Sequence, residues 1–223
     1  MSEFGDDTVF EFTSLSELDP SVADGFRIVY DREVPMEVRT ENSSGDADHG
    51  TMESIKVKLL MLGPEEAPSS IRLEFSSEAD LFFAFMHEMD DDTYRNVQEN
   101  QKLMVPFVDY PNVLIRMLNS VIREPAVFLA IFLMNGRGEA RLDFIQNMEY
   151  KFVELVSCKC DRMPEEVIAH HVTYRYNSIK QKYAVASAKL NELSQLVKTK
   201  NPSLMLHMQK TAAGPMAITS TKR

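Results

Sequence analysis

At Met163 the spacing of apolar residues along this chain switches from every second position to alternating steps of four and three, and no single element of secondary structure satisfies both. Upstream, Ile55, Val57, Leu59 and Met61 alternate with Lys56, Lys58 and Leu60, and Ile71, Leu73 and Phe75 alternate with Arg72 and Glu74. Period two on both sides of Gly63-Pro64 and Pro68 predicts a pair of half-buried antiparallel strands. Downstream, Pro164, Glu165 and Glu166 make a helix start. Val172, Tyr176, Ile179, Tyr183, Ala186, Leu190, Leu193 and Val197 then form a heptad seam, which Asn201-Pro202 ends. The expected fold is α+β: an antiparallel β-sandwich or barrel-like head with inserted short helices, followed by a C-terminal helix. With 223 residues, 44% of them hydrophobic, the chain fills one sizeable core and would crowd two.

The expected divisions are an acidic disordered lead over 1–25, a globular head over 26–162, the heptad helix over 163–199 and a basic disordered tail over 200–223. Within the head, Phe26 to Tyr30 and Val34 to Arg39 read as two short strands, and 41–50 as a polar surface loop. Leu81 to Met86 reads as a dense aromatic strand, and the acidic run Asp90-Asp91-Asp92 suits the start of a helix that reaches Gln101. Leu103 to Val108 reads as a short strand, and Pro111 opens a helix whose apolar face is Val113, Leu114, Met117, Leu118, Val121 and Ile122. Ala126 to Met134 is an unbroken apolar run that suits a strand buried on both faces, and Asn135-Gly136 behind it signals a hairpin.

A second hairpin carries an unusual tip. Arg141 to Gln146 and Lys151 to Val156 read as strands, with only Asn147, Met148, Glu149 and Tyr150 between them. Turn tips are normally small or polar. A large amphipathic ring held out on a rigid ribbon is the kind of side chain that anchors protein interfaces; the alternative is that Tyr150 folds back over its own sheet. The heptad seam leaves two readings as well. It pairs with a second helix, weakly because it is short and carries Tyr and Ala at core positions, or its start packs on the chain's own head.

Other functions find little support. A net charge of -10 argues against nucleic-acid binding. The longest apolar run falls far below the ~18 residues of a membrane span, and the first residues lack a secretory signal, which predicts a cytoplasmic protein. Cys158 and Cys160 lie two apart and form no metal-ligand pattern with His170 and His171, so they read as structural thiols, and no metal or cofactor is expected. No nucleophile, base or nucleotide motif stands out, so the chain is not expected to be an enzyme.

The segments Ala79-Asp-Leu-Phe-Phe-Ala-Phe-Met and Gln101-Lys-Leu-Met-Val-Pro-Phe-Val-Asp-Tyr-Pro-Asn-Val-Leu-Ile-Arg-Met-Leu resemble the N-terminal head of the spindle assembly abnormal protein six family, the centriolar cartwheel proteins. The likeness continues through Leu142-Asp-Phe-Ile-Gln-Asn-Met-Glu-Tyr150-Lys and covers about 26–195. It implies a head followed by a parallel dimeric helix, and a hairpin whose tip residue, here Tyr150, enters a pocket on a second head. Asn147, Met148 and Glu149 would flank that contact, and Met117 and Val121 are candidates for the pocket, although they suit an ordinary core better. The long coiled coil of typical members is missing, which suggests the shorter "like" branch. The partners implied are other copies of the chain and further basal-body or cytoskeletal proteins. The places implied are the centriole or basal body, the flagellar base or the apical complex.

Overall fold

The computed structural model describes residues 19–40, 50–200 and Ser203. The expectations placed on 1–18, on the loop 41–49 and on most of 201–223 lie outside the described residues. The chain divides into two units, one ending at Tyr174 and one beginning at Arg175.

Among the described residues seven strands make the head: β1 (Arg27–Thr40), β2 (Thr51–Leu62), β3 (Ser70–Ser77), β4 (Ala84–Asp90), β5 (Phe128–Met134), β6 (Glu139–Asn147) and β7 (Phe152–Arg162). They close into a barrel in the order β1-β2-β3-β4-β7-β6-β5. Every neighbouring pair is antiparallel except β1 and β5, which run parallel over Glu37–Thr40 and Ile131–Met134. Two helices, α1 (Asp91–Gln101) and α2 (Tyr110–Arg123), interrupt the strands, and α3 (Glu165–Lys200) follows them.

The alternation read in the sequence sets the core. Ile55, Val57, Leu59, Ile71, Leu73 and Phe75 are fully buried, as period two requires of strands with one face inward. At the centre Phe132 meets Phe75, Phe83 and Phe85, with ring centroids 5.2 to 5.3 Å away and tilted or edge-on planes. Helix α2 adds Leu114, Leu118 and Val121 to the same core, and its first residue Tyr110 stacks on Tyr94 of α1 at 4.8 Å. Asp90 caps α1 by accepting from the Thr93 N–H, while Thr93 Oγ1 accepts from the Asp90 N–H.

Five local expectations need correction. Where two strands were expected over 26–30 and 34–39, one long strand runs over Arg27–Thr40. Pro35 lies within it opposite Ser54 of β2 and ahead of Glu37, where β5 joins on the other side; proline is tolerated in a strand where one side is unpaired. The strand expected over Leu81–Met86 starts at Ala84, and Leu81 and Phe82 are exposed in the preceding turn. The strand expected over Leu103–Val108 is a connector that ends in a 3-10 turn, Phe107–Asp109. It is pinned by Tyr94 Oη and Gln98 Nε2, which both donate to the Val105 carbonyl. Strand β5 is buried only at Ala130 and Phe132, not on both faces. Order also begins before Phe26, since Pro20–Gly25 forms a 3-10 helix capped by Asp19.

That 3-10 segment lies on the outer faces of β2 and β3 through a buried polar cluster. Lys58 Nζ donates to Asp19 Oδ2 at 2.6 Å and to Ser21 Oγ at 2.8 Å, and Ser21 Oγ donates to Glu74 Oε2 at 2.6 Å. Burial pushes the Asp19 carboxyl up, but the Lys58 ammonium and the hydrogen bonds from Ser21 together outweigh it and hold the group below the usual carboxylate range. Glu74, deeper and only partly offset by Ser21, Lys58 and Arg72, is pushed up by burial.

The barrel closes incompletely between β4 and β7. Only Phe85 with Arg162 and Met86 with Asp161 pair as strands. Further along β7, side chains take the place of a neighbouring strand. His87 Nδ1 lies 2.6 Å from the Lys159 carbonyl, which can only accept, so Nδ1 carries the proton. Gln101 Nε2 donates to the Ser157 carbonyl at 2.7 Å, and Gln101 Oε1 accepts from the Ser157 N–H at 2.9 Å. The His87 Nε2 is buried without a partner, and burial lowers the imidazole pKa despite the Lys159 carbonyl and Asp161. Protonation therefore favours the unfolded chain, whose histidine titrates near pH ~6.5. The stability tied to His87 is present above that pH and lost as pH falls toward the depressed folded value. Melting temperature should drop from pH 7 to pH 5, and His87→Leu should flatten that slope. An unchanged slope would remove His87 as its source.

Candidate functional site

The β6–β7 hairpin is built from the strand signals around residues 141 and 156, and the chain reverses within Glu149-Tyr150. Met148 N–H donates to the Lys151 carbonyl at 2.9 Å, which closes the ribbon one residue either side of that tip. Its base is tied to the approach of β5: the Asn147 N–H donates to the Val127 carbonyl at 2.7 Å, and Asn147 Nδ2 to the Ala126 carbonyl at 3.3 Å. Between Phe144 and Ile145 the register slips by one because β7 carries an extra residue there. Such a bulge raises the local twist and re-aims what lies beyond it.

The tip points into solvent. Tyr150 is 89% exposed, with Met148 at 47% and Phe152 at 66%, so Tyr150 does not fold back over its own sheet. Met148, Tyr150 and Phe152 make an apolar group at the end of a rigid ribbon, and exposed groups of that kind mark interaction sites. Glu149 and Asn147 are exposed beside them. The opposite end of the barrel carries the second hairpin. Asn135 Oδ1 accepts from the Arg137 and Glu139 N–H groups, and Gly138 takes a positive φ of 85°. It is a three-residue loop with left-handed glycine, rather than the two-residue turn that Asn-Gly most often signals.

The remaining sequence candidates separate by location. Val121 is 2% exposed, and Met117 packs half-buried against the same core; the two lie together on α2 but inside the head. Of the heptad residues, Val172 packs with Ile168 against Ala84, Met86 and Met163, and Lys58 Nζ sits 5.9 Å from the Tyr174 ring. From there on the stripe is open: Tyr176, Ile179, Tyr183, Leu190 and Leu193 are each more than half exposed, Ala186 is exposed and Val197 half-buried. The seam thus divides into a start packed on Ala84, Met86 and Met163 and a run of mostly exposed residues.

Two surface features were not singled out in the sequence. Phe152 shares a strand face with Glu154, and that pairing of an aromatic with an exposed acid was the available signal. Met104, 95% exposed in the α1–α2 connector, carries no signal at all, since Leu103 to Val108 looked like a strand.

The two cysteines are muted. Burial pushes the Cys158 thiol up to about 12, with its Sγ 3.6 Å from the Tyr110 hydroxyl, and burial also raises Cys160. Both are therefore protonated and inert at neutral pH. Among the described residues no group of three His, Cys, Asp or Glu is placed to hold a metal ion, and no helix is long and apolar enough to cross a membrane. What the arrangement offers is contact surface.

Solved structures of similar fold include N-terminal parts of SAS-6 proteins. An N-terminal fragment of Leishmania SAS-6 with parts of its coiled coil, carrying the substitution F257E, superposes with a TM-score of 0.64 at 17% identity, covering 81% of this chain and 99% of that one. The N-terminal domain of Leishmania SAS-6 gives 0.54 at 18% identity, over 62% and 99% of the two chains. An N-terminal coiled-coil dimer of C. elegans SAS-6 gives 0.57 at 15% identity, over 77% and 98%. No curated protein sequence matches the chain. Residues 28–160 match the family described as centriolar protein SAS N-terminal domain. That match takes in nearly the whole barrel, all seven strands and the hairpin tip included, and the chain belongs to this family of centriolar structural proteins.

Proposed function

We propose that copies of this chain assemble into a structural element of the centriole or basal body, joined head to head through Tyr150 and helix to helix through the open part of the seam. The observation that carries this reading is the 89% exposure of Tyr150 at the end of a ribbon anchored to β5. An aromatic side chain gains roughly 1.5–3 kcal/mol on burial, less than the entropy that association costs. One such contact is weak, and tethering through a second makes it effective by raising the local concentration to about millimolar. Two different twofold contacts whose axes do not coincide generate a ring or a filament. The pocket for Tyr150 belongs on the head surface, away from Val121, which is buried. The fitting places of action are the cytoplasm and its cytoskeleton at the basal body, flagellar base or apical complex, with other proteins of those structures as further partners. The contact surface and the absence of reactive groups at it fit a structural role without catalysis.

The helix contact rests on Tyr176, Ile179, Tyr183, Ala186, Leu190, Leu193 and Val197. The full-length chain should have a dimeric mass by light scattering at micromolar concentration, and Ile179→Asp with Leu190→Asp should bring it to the monomer. A monomeric wild type would instead favour a cytoskeletal adaptor with its helix held in cis, the reading that the packing of Ile168 and Val172 on Met86 supports.

A further inference from the structure

The outward side of β7 is accounted for residue by residue until it nears the tip. Met148 faces β7 and Asn147 faces β5, as their N–H bonds show. By strand alternation, Lys151, Val153, Val156 and Cys158 direct their backbone groups to β6, while Phe152, Glu154, Ser157, Lys159 and Asp161 direct theirs away. Asp161 pairs with Met86, the Lys159 carbonyl takes His87, and Ser157 takes both ends of the Gln101 amide. Phe152 and Glu154 come next, and among the described residues neither strand nor side chain meets their outward N–H and C=O groups. Both residues are exposed. The result is a short open sheet edge directly below Tyr150.

We infer that this edge pairs with the same edge of a second copy, antiparallel about a twofold axis at Val153, and so forms the main-chain part of the head-to-head contact. The inference rests on the Tyr150 reading above and extends it. The occupant follows from the shape of the edge. Two outward residues flanking one central residue are self-complementary under a twofold: Phe152 faces the partner's Glu154, and Glu154 the partner's Phe152, giving about four backbone hydrogen bonds. A longer ladder cannot form, because Gln101 already occupies Ser157. Continuity with the exposed Met148 and Tyr150 places the pairing within one surface. This register also brings Tyr150 level with the partner's Val156 and Ser157, beside the connector that bears the exposed Met104.

The test is a cysteine at the proposed axis in the full-length chain. Facing Cα atoms in a non-hydrogen-bonded antiparallel pair lie about 4.5 Å apart, within disulfide reach. Val153→Cys should therefore oxidise to a covalent dimer under a mild oxidant. Phe152→Cys should not, since its symmetry mate is offset by roughly 7–8 Å. The native Cys158 and Cys160 are buried and protonated and leave the background low. In parallel, Glu154→Pro removes only an outward N–H and should weaken self-association about tenfold or more in sedimentation, with folding checked by circular dichroism. Glu154→Ala should associate like the parent. If association depends on Tyr150 but Val153→Cys gives no dimer and Glu154→Pro associates normally, the edge is excluded while the tip contact stands. If the parent shows no association sensitive to Tyr150→Glu, both fall together.

Discussion

Tyr150→Glu should leave the head as stable as the parent and remove its self-association, so that sedimentation at high protein concentration shows no dependence on loading for the head contact. Stability is spared because the ring is 89% exposed, and surface substitutions outside special features usually stay within about 0.5 kcal/mol. Association is lost for two reasons that add. The apolar gain of the buried ring disappears, roughly 1.5–3 kcal/mol, and a carboxylate would have to be desolvated in its place at a further cost of several kcal/mol unless it finds a cation. Every 1.4 kcal/mol is about tenfold in affinity, so a contact that starts weak drops out of measurable range. Tyr150→Phe should keep association, and a tighter dimer would mean that the hydroxyl is buried without a partner. An unaltered concentration dependence in the glutamate variant would remove Tyr150 from the mechanism.

The largest effect on stability is expected inside the barrel. Phe132 is fully buried and touches three other phenylalanine rings on two neighbouring sides of the core. Phe132→Ala should cost about 3–5 kcal/mol, since the surrounding strands are held by their ladders and cannot collapse into the space. At about 2–4 °C per kcal/mol for a domain of this size, the melting temperature should fall by roughly 6–20 °C, with a matching shift of the urea midpoint. Phe152→Ala, the same change on the exposed side of β7, should leave both unchanged. Equal losses at the two positions would contradict the burial described for them.

The parts of this fold that were legible in the sequence are those with local causes. Alternation over 55–61 and 71–75 reports which face of a strand meets the core, and Asp90 announces the α1 cap because the capping bonds join residues three apart. The heptad onset at Met163 is a change of period visible in a few residues. What escaped depends on partners distant in sequence. Nothing near Gln101 indicates that its amide stands in for a strand beside Ser157, fifty-six positions on. The break expected at 31–33 is absent because Asp31, Arg32 and Glu33 pair with Lys58, Val57 and Lys56, partners that lie far along the chain. The 3-10 segment at Pro20 is ordered by Lys58 and Glu74, so its acidic surroundings suggested disorder. Of the candidate site, the tip was legible, since a tyrosine between two strand patterns stands out by itself. Val172 shows the converse: it keeps the heptad spacing, yet its place on the head is decided by Ala84 and Met86.

The meeting of β4 and β7 also determines how the head bears a pull. Tension applied along α3 enters through Arg162 and Met163, where the only ladder contacts with β4 are the Phe85 and Met86 pairs and the bond from Met163 N–H to the Ala84 carbonyl at 3.0 Å. Side-chain links at His87 and Gln101 come next in line. Ile168 and Val172, clamped on Met86, spread the load over the outer surface before it reaches that narrow junction. A scaffold under mechanical stress would thus yield first where its barrel is stitched rather than woven.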